Sequence, residues 1–513
     1  MCSSDLSYLR IGTGVLLALL LLRLATANLE SAPPVWWDEG WTMSVARNLV
    51  ESGRYSRLLA GEPARPGPEA FVPVTALIAL SFRLFGVGIW QGRMVGLIFT
   101  LGALGMMYAL VNRLYDKRIA LATLGVLLFI SPRPAYHPFL MGRQVMGEMP
   151  LVFYLLSGYF FLLLSLEKSK WFIVAAIIMW AVALNTKGQP PPFWFLSLFL
   201  PFCISVYGKS WAIAGVLIGA LMSSLLAAVA LNYWAHLIFI DPRLPPVVIS
   251  GLYDVTAWVV LSYERKIEIL IGLVWVLPTI LGICYAIREF IGKEKLLAAL
   301  NPKNVVRLTL WILVASWFGW FIVLSVGWER HLFPAVFIGS VFAAVLLKDL
   351  TKNFSLKSTV ALGAGALKTL RFNWESFGAL LAIVLITYLA TANGKTVYRV
   401  LYSEPDQSVK DVAAFLNTQT SADAMIEIFD AELFFLLNRR YHYPPDHVDV
   451  ELIRRTFIGQ NVRISYDALS ADPDYLVVGP QSMMLHLYDY ILTTGAFRHI
   501  RSYPLYDVYK RVR

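Results

Sequence analysis

The 513-residue chain is 58% hydrophobic and only 15% charged, with a mean hydropathy of +0.61. A soluble chain of ordinary composition carries about 25% charge, so a soluble globular enzyme is excluded. The net charge of +10 does not call for nucleic acid, because Lys and Arg collect in short loops between apolar runs, as the positive-inside rule describes.

Apolar runs of roughly the 20 residues that cross a bilayer core predict about eleven spans, at 11–29, 91–112, 118–132, 150–166, 171–186, 190–207, 211–232, 267–287, 308–327, 331–347 and 376–393. The first is read as an uncleaved span, since no clear small-residue cleavage site precedes the acidic motif after it. Segment 71–86 is apolar but short and interrupted by Arg83; it is expected to lie flat in the outer interface. That choice sets the parity of every later span. It places Arg113, Lys117 and Arg118, then Lys168 and Lys170, Lys209, Arg288, Lys293, Lys295, Lys303 and Arg307, and finally Lys348, Lys352, Lys357, Lys368 and Arg371 on the inside. Arg265 and Lys266 are the exceptions.

The outer side of a plasma (inner) membrane then receives segments 30–90, 133–149 and 233–266 and the region from 394 to 513. The last has mixed composition, with a helical pattern at Asp411–Leu416 and strand patterns at Ala424–Phe429, Tyr475–Val478 and Tyr503–Tyr509. The expected fold is a polytopic α-helical membrane domain over 1–393 followed by a C-terminal soluble α/β domain on the outer face over 394–513. Cys2, Cys203 and Cys284 show no disulfide or metal-ligand spacing.

Two acidic elements stand out. In Trp36-Trp37-Asp38-Glu39-Gly40-Trp41, adjacent carboxylates leave the first span among tryptophans, and Thr42–Ser52 continues as an amphipathic pattern suited to a helix along the membrane. The bland reading is an acidic helix N-terminus within an aromatic belt. In Arg143-Gln144-Val145-Met146-Gly147-Glu148-Met149-Pro150, Glu148 stands just before a span, where a carboxylate also suits a helix dipole. Topology puts Asp38 and Glu148 on one side, which favours a shared site. A cationic set accompanies them: Lys187 in Asn185-Thr186-Lys187-Gly188, Arg330 and His331 in Trp328-Glu329-Arg330-His331-Leu332-Phe333-Pro334, and Arg143, with His137 as a group that could titrate nearby. Singly these are snorkelling or headgroup contacts. Together they make an anion site, and Arg suits phosphate through its planar fork.

The order of motifs resembles a known family. A span is followed by Asp38-Glu39, then Ala76-Leu77-Ile78-Ala79-Leu80-Ser81-Phe82-Arg83-Leu84-Phe85-Gly86, Gly92-Arg93, Asn112-Arg113-Leu114-Tyr115, Arg143…Glu148-Met149-Pro150, Lys187-Gly188 and Arg330-His331-Leu332-Phe333-Pro334. Over roughly residues 10–390 this resembles the GT-C glycosyltransferases related to protein O-mannosyltransferases and the lipid A aminoarabinose transferase. The resemblance implies a polyprenyl-phosphate-linked sugar donor, an acceptor hydroxyl on a glycan, lipid or protein, and no cofactor, metal or nucleic acid. It assigns the base to Asp38 and the second acidic position to Glu148, with Glu39 orienting a helix or a cationic partner. Arg330, Lys187, Arg143 and His331 are the candidates for donor phosphate. Many relatives carry a Lys before a Pro-Pro-Leu element; here the region reads Arg65-Pro66-Gly67-Pro68-Glu69, leaving Arg65 or another cation to take that place. The competing classes are a transporter or flippase of lipid-linked sugars, and a scaffold using Tyr441-His442-Tyr443-Pro444-Pro445 as a contact surface. A transporter would place polar residues near the bilayer midplane, commonly in repeated halves, whereas these charges sit at span ends.

Overall fold

The computed structural model of the protein describes residues 19, 22–23, 25–67, 70–239, 259–260, 262–291, 300–369, 373–402, 404 and 406–512. Most of the expected first span, most of the 233–266 segment, and Lys293, Lys295 and Arg371 lie outside the described residues.

Helix α1 (Trp37–Ser52) starts after an extended Trp36 and ends at Gly53, whose φ of 71° is the left-handed conformation that favours glycine. A hairpin of β1 (Arg57–Leu59) and β2 (Glu62–Ala64) follows, paired Arg57 to Ala64. Then come α2 (Val72–Phe85), α3 (Ile89–Leu114), α4 (Lys117–Phe129), the short α5 (Pro138–Gly142), α6 (Glu148–Glu167), α7 (Phe172–Leu184), α8 (Pro191–Tyr207) and α9 (Trp211–Phe239). Helices α10 (Tyr263–Gly272) and α11 (Leu277–Ala286) are joined through a 3-10 turn at Leu273–Val276. The bundle closes with α12 (Pro302–Val323), α13 (Glu329–Leu350), α14 (Leu356–Thr369) and α15 (Trp374–Tyr402).

Among the described residues, seven helical stretches are long and apolar enough to cross a membrane: α3, α6, α9, the joined α10–α11, α12, α13 and the first part of α15. The protein is a multi-pass membrane protein. Helix α13 is its axis, with 94% of its apolar window buried, whereas 28% of that of α9 is buried. Helix α9 therefore turns much of its apolar surface outward, as a lipid-facing helix does. Leu332, Phe333, Val336 and Phe337 of α13 share one core with Leu155, Tyr159, Trp180, Trp194 and Trp317.

Several spans differ from the sequence reading. The 118–132 span is a 13-residue helix ending at Phe129, and the 171–186 span is likewise a 13-residue helix. At 1.5 Å per residue each is about 20 Å long, short of a bilayer core of about 30 Å. Segment 71–86 forms α2, which is also short; it buries Val74, Ile78 and Phe82. Helix α14 was not expected: its mixture of Lys and Gly hides an apolar periodicity. The exceptional Arg265 and Lys266 donate to the carbonyls of Val326 at 2.7 Å and Ser325 at 3.0 Å, closing the turn beyond α12.

The C-terminal domain holds α16 (Ser408–Gln419), β3 (Met425–Ile428), β4 (Arg440–His442), α17 (Asp446–Ile458), β5 (Tyr475–Val478), α18 (Pro480–Met484), α19 (Asp489–Thr493), β6 (Phe497–Ser502) and β7 (Asp507–Arg511). The sheet order is β4-β3-β5-β7-β6, with β3 parallel to β4 and β5, and β7 antiparallel to β5 and β6. The expected strand at 475–478 is present as β5, and the expected helix at 411–416 and strand at 424–429 are present with shifted ends. The Tyr503–Tyr509 pattern is a turn in its first half, with Tyr503 N–H donating to the Tyr506 carbonyl, and the start of strand β7 in its second. Tyr441 and Tyr443 are buried against Phe434, so this motif is core packing. The 393/394 boundary falls inside α15, which carries the chain on to Tyr402 before the sheet domain begins.

The two parts share a core. Met43 and Val45 of α1 and Ile78 and Phe82 of α2 belong to one apolar cluster with Val412, Leu416, Ile426, Phe434 and Phe435. Helix α1 is therefore not a free amphipathic helix along the membrane: both faces are covered, and it is buried almost continuously from Asp38 to Asn48.

Candidate functional site

Asp38 and Glu39 are neighbours in the first turn of α1, so they point about 100° apart around the helix, and each meets a different arginine. Asp38, 5% exposed, pairs through Oδ2 with Nη1 of Arg330 in the first turn of α13. Glu39 is fully buried and takes both Nε and Nη2 of Arg93, each at 2.7 Å. Its carboxylate also accepts from the backbone N–H of Trp36 and of Val145, both at 3.2 Å. Arg93 adds Nη1 bonds to the carbonyls of Leu29 at 2.7 Å and Pro33 at 2.9 Å. The Glu39–Arg93 pair thus ties together the segment after the first span, α1, α3 and the loop leading to Glu148. Its polar atoms face protein on every side, which marks it as a brace.

Glu148 opens α6 and is fully buried. Its Oε1 lies 2.6 Å from Nζ of Lys187, while its Oε2 is buried without a hydrogen-bond partner. A Cβ on Gly147 would come within 2.9 Å of the Thr186 carbonyl, so glycine is what lets the Arg143–Glu148 loop approach the Lys187 turn. His331 lies within electrostatic reach of both Arg330 and Lys187. It is buried, its Nδ1 has no hydrogen-bond partner, and its ring packs at 5.3 Å on Trp328. Two buried ion pairs result, Asp38 with Arg330 and Glu148 with Lys187, and His331 follows Arg330 in the chain. Two carboxylates and two cations from four separate segments converge at the end of the bundle that carries the sheet domain.

The remaining candidates sit elsewhere. Arg143 donates through Nη2 to the Ala27 carbonyl; burial and the nearby Arg93 charge push its guanidinium down to about 10, so it keeps its proton. It stands near the Glu39–Arg93 brace. Arg65 is exposed, and among the described residues no hydrogen bond or ion pair joins its side chain to this cluster. Only its carbonyl is used, accepting from Arg57 Nε at 2.9 Å. His137 is buried, and burial pushes its imidazole down to about 4, so it is neutral near pH 7 and does not titrate there.

Arg93 and the C-terminal helix α17 complete the surroundings, and the reading from sequence gave neither of them a place in the site. Arg93 had a signal, as an arginine just inside an apolar span. Helix α17 had none, because it lies more than 100 residues beyond Arg330 in the chain.

Residues 70–234 match the family described as dolichyl-phosphate-mannose-protein mannosyltransferase. No curated protein matches the chain in sequence. Among solved structures, the chain is similar to ArnT from Cupriavidus metallidurans bound to undecaprenyl phosphate, at 16% identity over 98% of each chain, with a TM-score of 0.64. The same ArnT in the apo state gives a TM-score of 0.65 at the same identity and coverage. The Archaeoglobus fulgidus oligosaccharyltransferase tethered with an acceptor peptide containing the NVT sequon gives a TM-score of 0.57 at 12% identity, over 99% of this chain and 74% of that one. At these identities the likeness is one of fold.

Proposed function

We propose that this chain, which has the GT-C glycosyltransferase fold, is an inverting glycosyltransferase that moves a sugar from a polyprenyl-phosphate carrier to an acceptor hydroxyl at the outer membrane face. The observation that carries this reading is the two buried carboxylate–cation pairs, Asp38 with Arg330 and Glu148 with Lys187. The family match over 70–234 and the fold shared with an undecaprenyl-phosphate-bound ArnT support a lipid-phosphate donor.

Without donor, Arg330 neutralises Asp38. A donor phosphate is a better partner for a guanidinium, since it offers more acceptor oxygens in a fork geometry. Its arrival draws Arg330 away and leaves Asp38 as an unpaired carboxylate in a mostly dry setting, which is a competent base. Asp38 takes the acceptor hydroxyl proton as the acceptor oxygen bonds to the anomeric carbon. The bond from that carbon to the phosphate oxygen breaks, and the electron pair leaves with the lipid phosphate. Arg330 and Lys187 face the charge that develops there. Glu148 holds Lys187, and its second oxygen is left to accept from the acceptor. One displacement inverts the anomeric centre; retention would need a covalent intermediate.

The test uses the purified full chain with undecaprenyl-phosphate-linked mannose and aminoarabinose as donors, reading released undecaprenyl phosphate. Asp38→Asn should lower turnover about 10²- to 10⁴-fold, the usual worth of a positioned base, well beyond any fall in the folded fraction read by thermal unfolding. Full turnover in that variant removes Asp38 as the base.

A further inference from the structure

The C-terminal domain does more than cover the site. Helix α17 carries Asp446, Asp449, Ile453 and Phe457 at spacings of three, four and four, which align along one face. That face is fixed to the membrane domain at both ends. Asp446 receives Arg57 Nη2 at 2.9 and 3.0 Å, and Arg57 itself lies 4.1 Å over the Trp41 ring of α1. At the other end Phe457 meets the Trp328 ring edge-on at 5.9 Å. Arg330 lies 5.2 Å over the same Trp328 ring. Between the two anchors, Asp449 is half-buried and close enough to act on the Arg330 charge. Arg330 thus pairs with Asp38 while its neighbour Trp328 packs against the face of α17 that carries Asp449.

We propose that Asp449 is a positioning residue of the transfer site, contributed by the C-terminal domain, which holds Arg330 while Arg330 passes from Asp38 to the donor phosphate. A guanidinium has five donors, enough to keep one partner while exchanging another. Without Asp449, nothing offsets the pull of Asp38, and Arg330 stays latched on the base. This inference rests on the functional reading above.

The probe is undecaprenyl phosphate without sugar, titrated into the purified full chain and followed by tryptophan fluorescence, with Trp328 beside Arg330 as the reporter. Asp449→Asn should weaken binding about fivefold, the order of one partly buried ion pair, and Asp449→Glu should restore it. The decisive variant is Asp38→Asn combined with Asp449→Asn: releasing the latch should return affinity to near the wild-type value. A loss through poor docking of α17 would not be rescued in this way, so failure of rescue overturns the proposal, as does unchanged or tighter binding in Asp449→Asn. If the wild-type chain does not bind the probe at all, the donor reading itself falls, and this proposal with it. Binding by wild type with no effect of Asp449 removes only the present inference.

Discussion

The two adjacent carboxylates of α1 sit in different environments, which suits the two tasks proposed for them. Glu39 is fully buried, satisfied by Arg93 and two backbone amides. Removing one partner of such a pair leaves an uncompensated buried charge and costs about 3–5 kcal/mol. Arg93→Ala should therefore lower thermal stability sharply, and turnover should fall with the folded fraction. Asp38→Asn keeps a side-chain oxygen that can accept from Arg330, and should lose turnover far beyond any fall in the folded fraction. Thermal unfolding and turnover of the two variants, measured side by side, check this separation; a stable Arg93→Ala would show that the brace is dispensable. The family resemblance assigned the base to Asp38 and an orienting role to Glu39, but the motif Asp38-Glu39 does not itself name the partners, Arg330 and Arg93, that separate them.

At the scale of elements, the placement of Asp38 depends on how α1 meets the C-terminal domain. Gly40 packs against the backbone just beyond β3, and a Cβ there would come within 2.5 Å of the Ala431 carbonyl. Trp37 packs tilted against Phe429 at 4.4 Å, and Arg47 donates to the carbonyls of Phe435 at 2.9 Å and Leu437 at 3.2 Å. Since the clash at Gly40 is with backbone, relief requires the whole contact to shift. Gly40→Ala should cost about 1–3 kcal/mol and move Asp38 away from Arg330, lowering turnover about 10²-fold. Limited proteolysis of the C-terminal domain alongside the rate checks this; wild-type values of both would show that the contact is loose.

Two further carboxylates lie at the same contact. Asp430 accepts from the backbone N–H of Gly479 at 3.0 Å and of Gln481 at 2.7 Å, and from the Ser482 hydroxyl at 2.6 Å. Glu432 accepts from Tyr506 at 2.7 Å, and its other oxygen is buried without a hydrogen-bond partner. Burial, then the Asp430 charge, push the Glu432 carboxyl up to about 8. A carboxyl raised in the folded state binds its proton more tightly there than in the unfolded chain. The stability it confers is complete below the ordinary value near 4.5 and is lost as pH rises toward about 8. The C-terminal domain should therefore unfold or undock at lower temperature at pH 8 than at pH 5, and Glu432→Gln should flatten that dependence. An equal pH slope in the variant would place the titrating group elsewhere.

For the whole molecule, the shared core of α1, α2 and the sheet domain makes both parts one body around the site. We propose the orientation from charge: the positive-inside rule expects the Lys- and Arg-rich loops inside, and the sheet domain and the Asp38 site then lie outside. In a chain with native cysteines replaced, Ser502→Cys should react with a membrane-impermeant maleimide in intact cells, and Lys170→Cys only after lysis. The reverse pattern would turn the molecule over and place the transfer site inside.

The sequence by itself determined that the chain crosses a membrane repeatedly, because apolar length is a one-dimensional property that the bilayer reads directly. It also marked Asp38, Glu148, Lys187 and Arg330, since charges beside apolar spans are costly enough to stand out. It could not assign their partners. Asp38 with Arg330 and Glu39 with Arg93 are contacts between segments 292 and 54 residues apart, set by helix packing and by no local pattern. Nor could it show that α1 is enclosed: the alternation of Val45, Leu49 and Val50 with Arg47 and Asn48 is the same whether a helix meets lipid or another domain. Only the tertiary structure decided that, by laying the C-terminal domain over α1 and bringing α17 to Arg330.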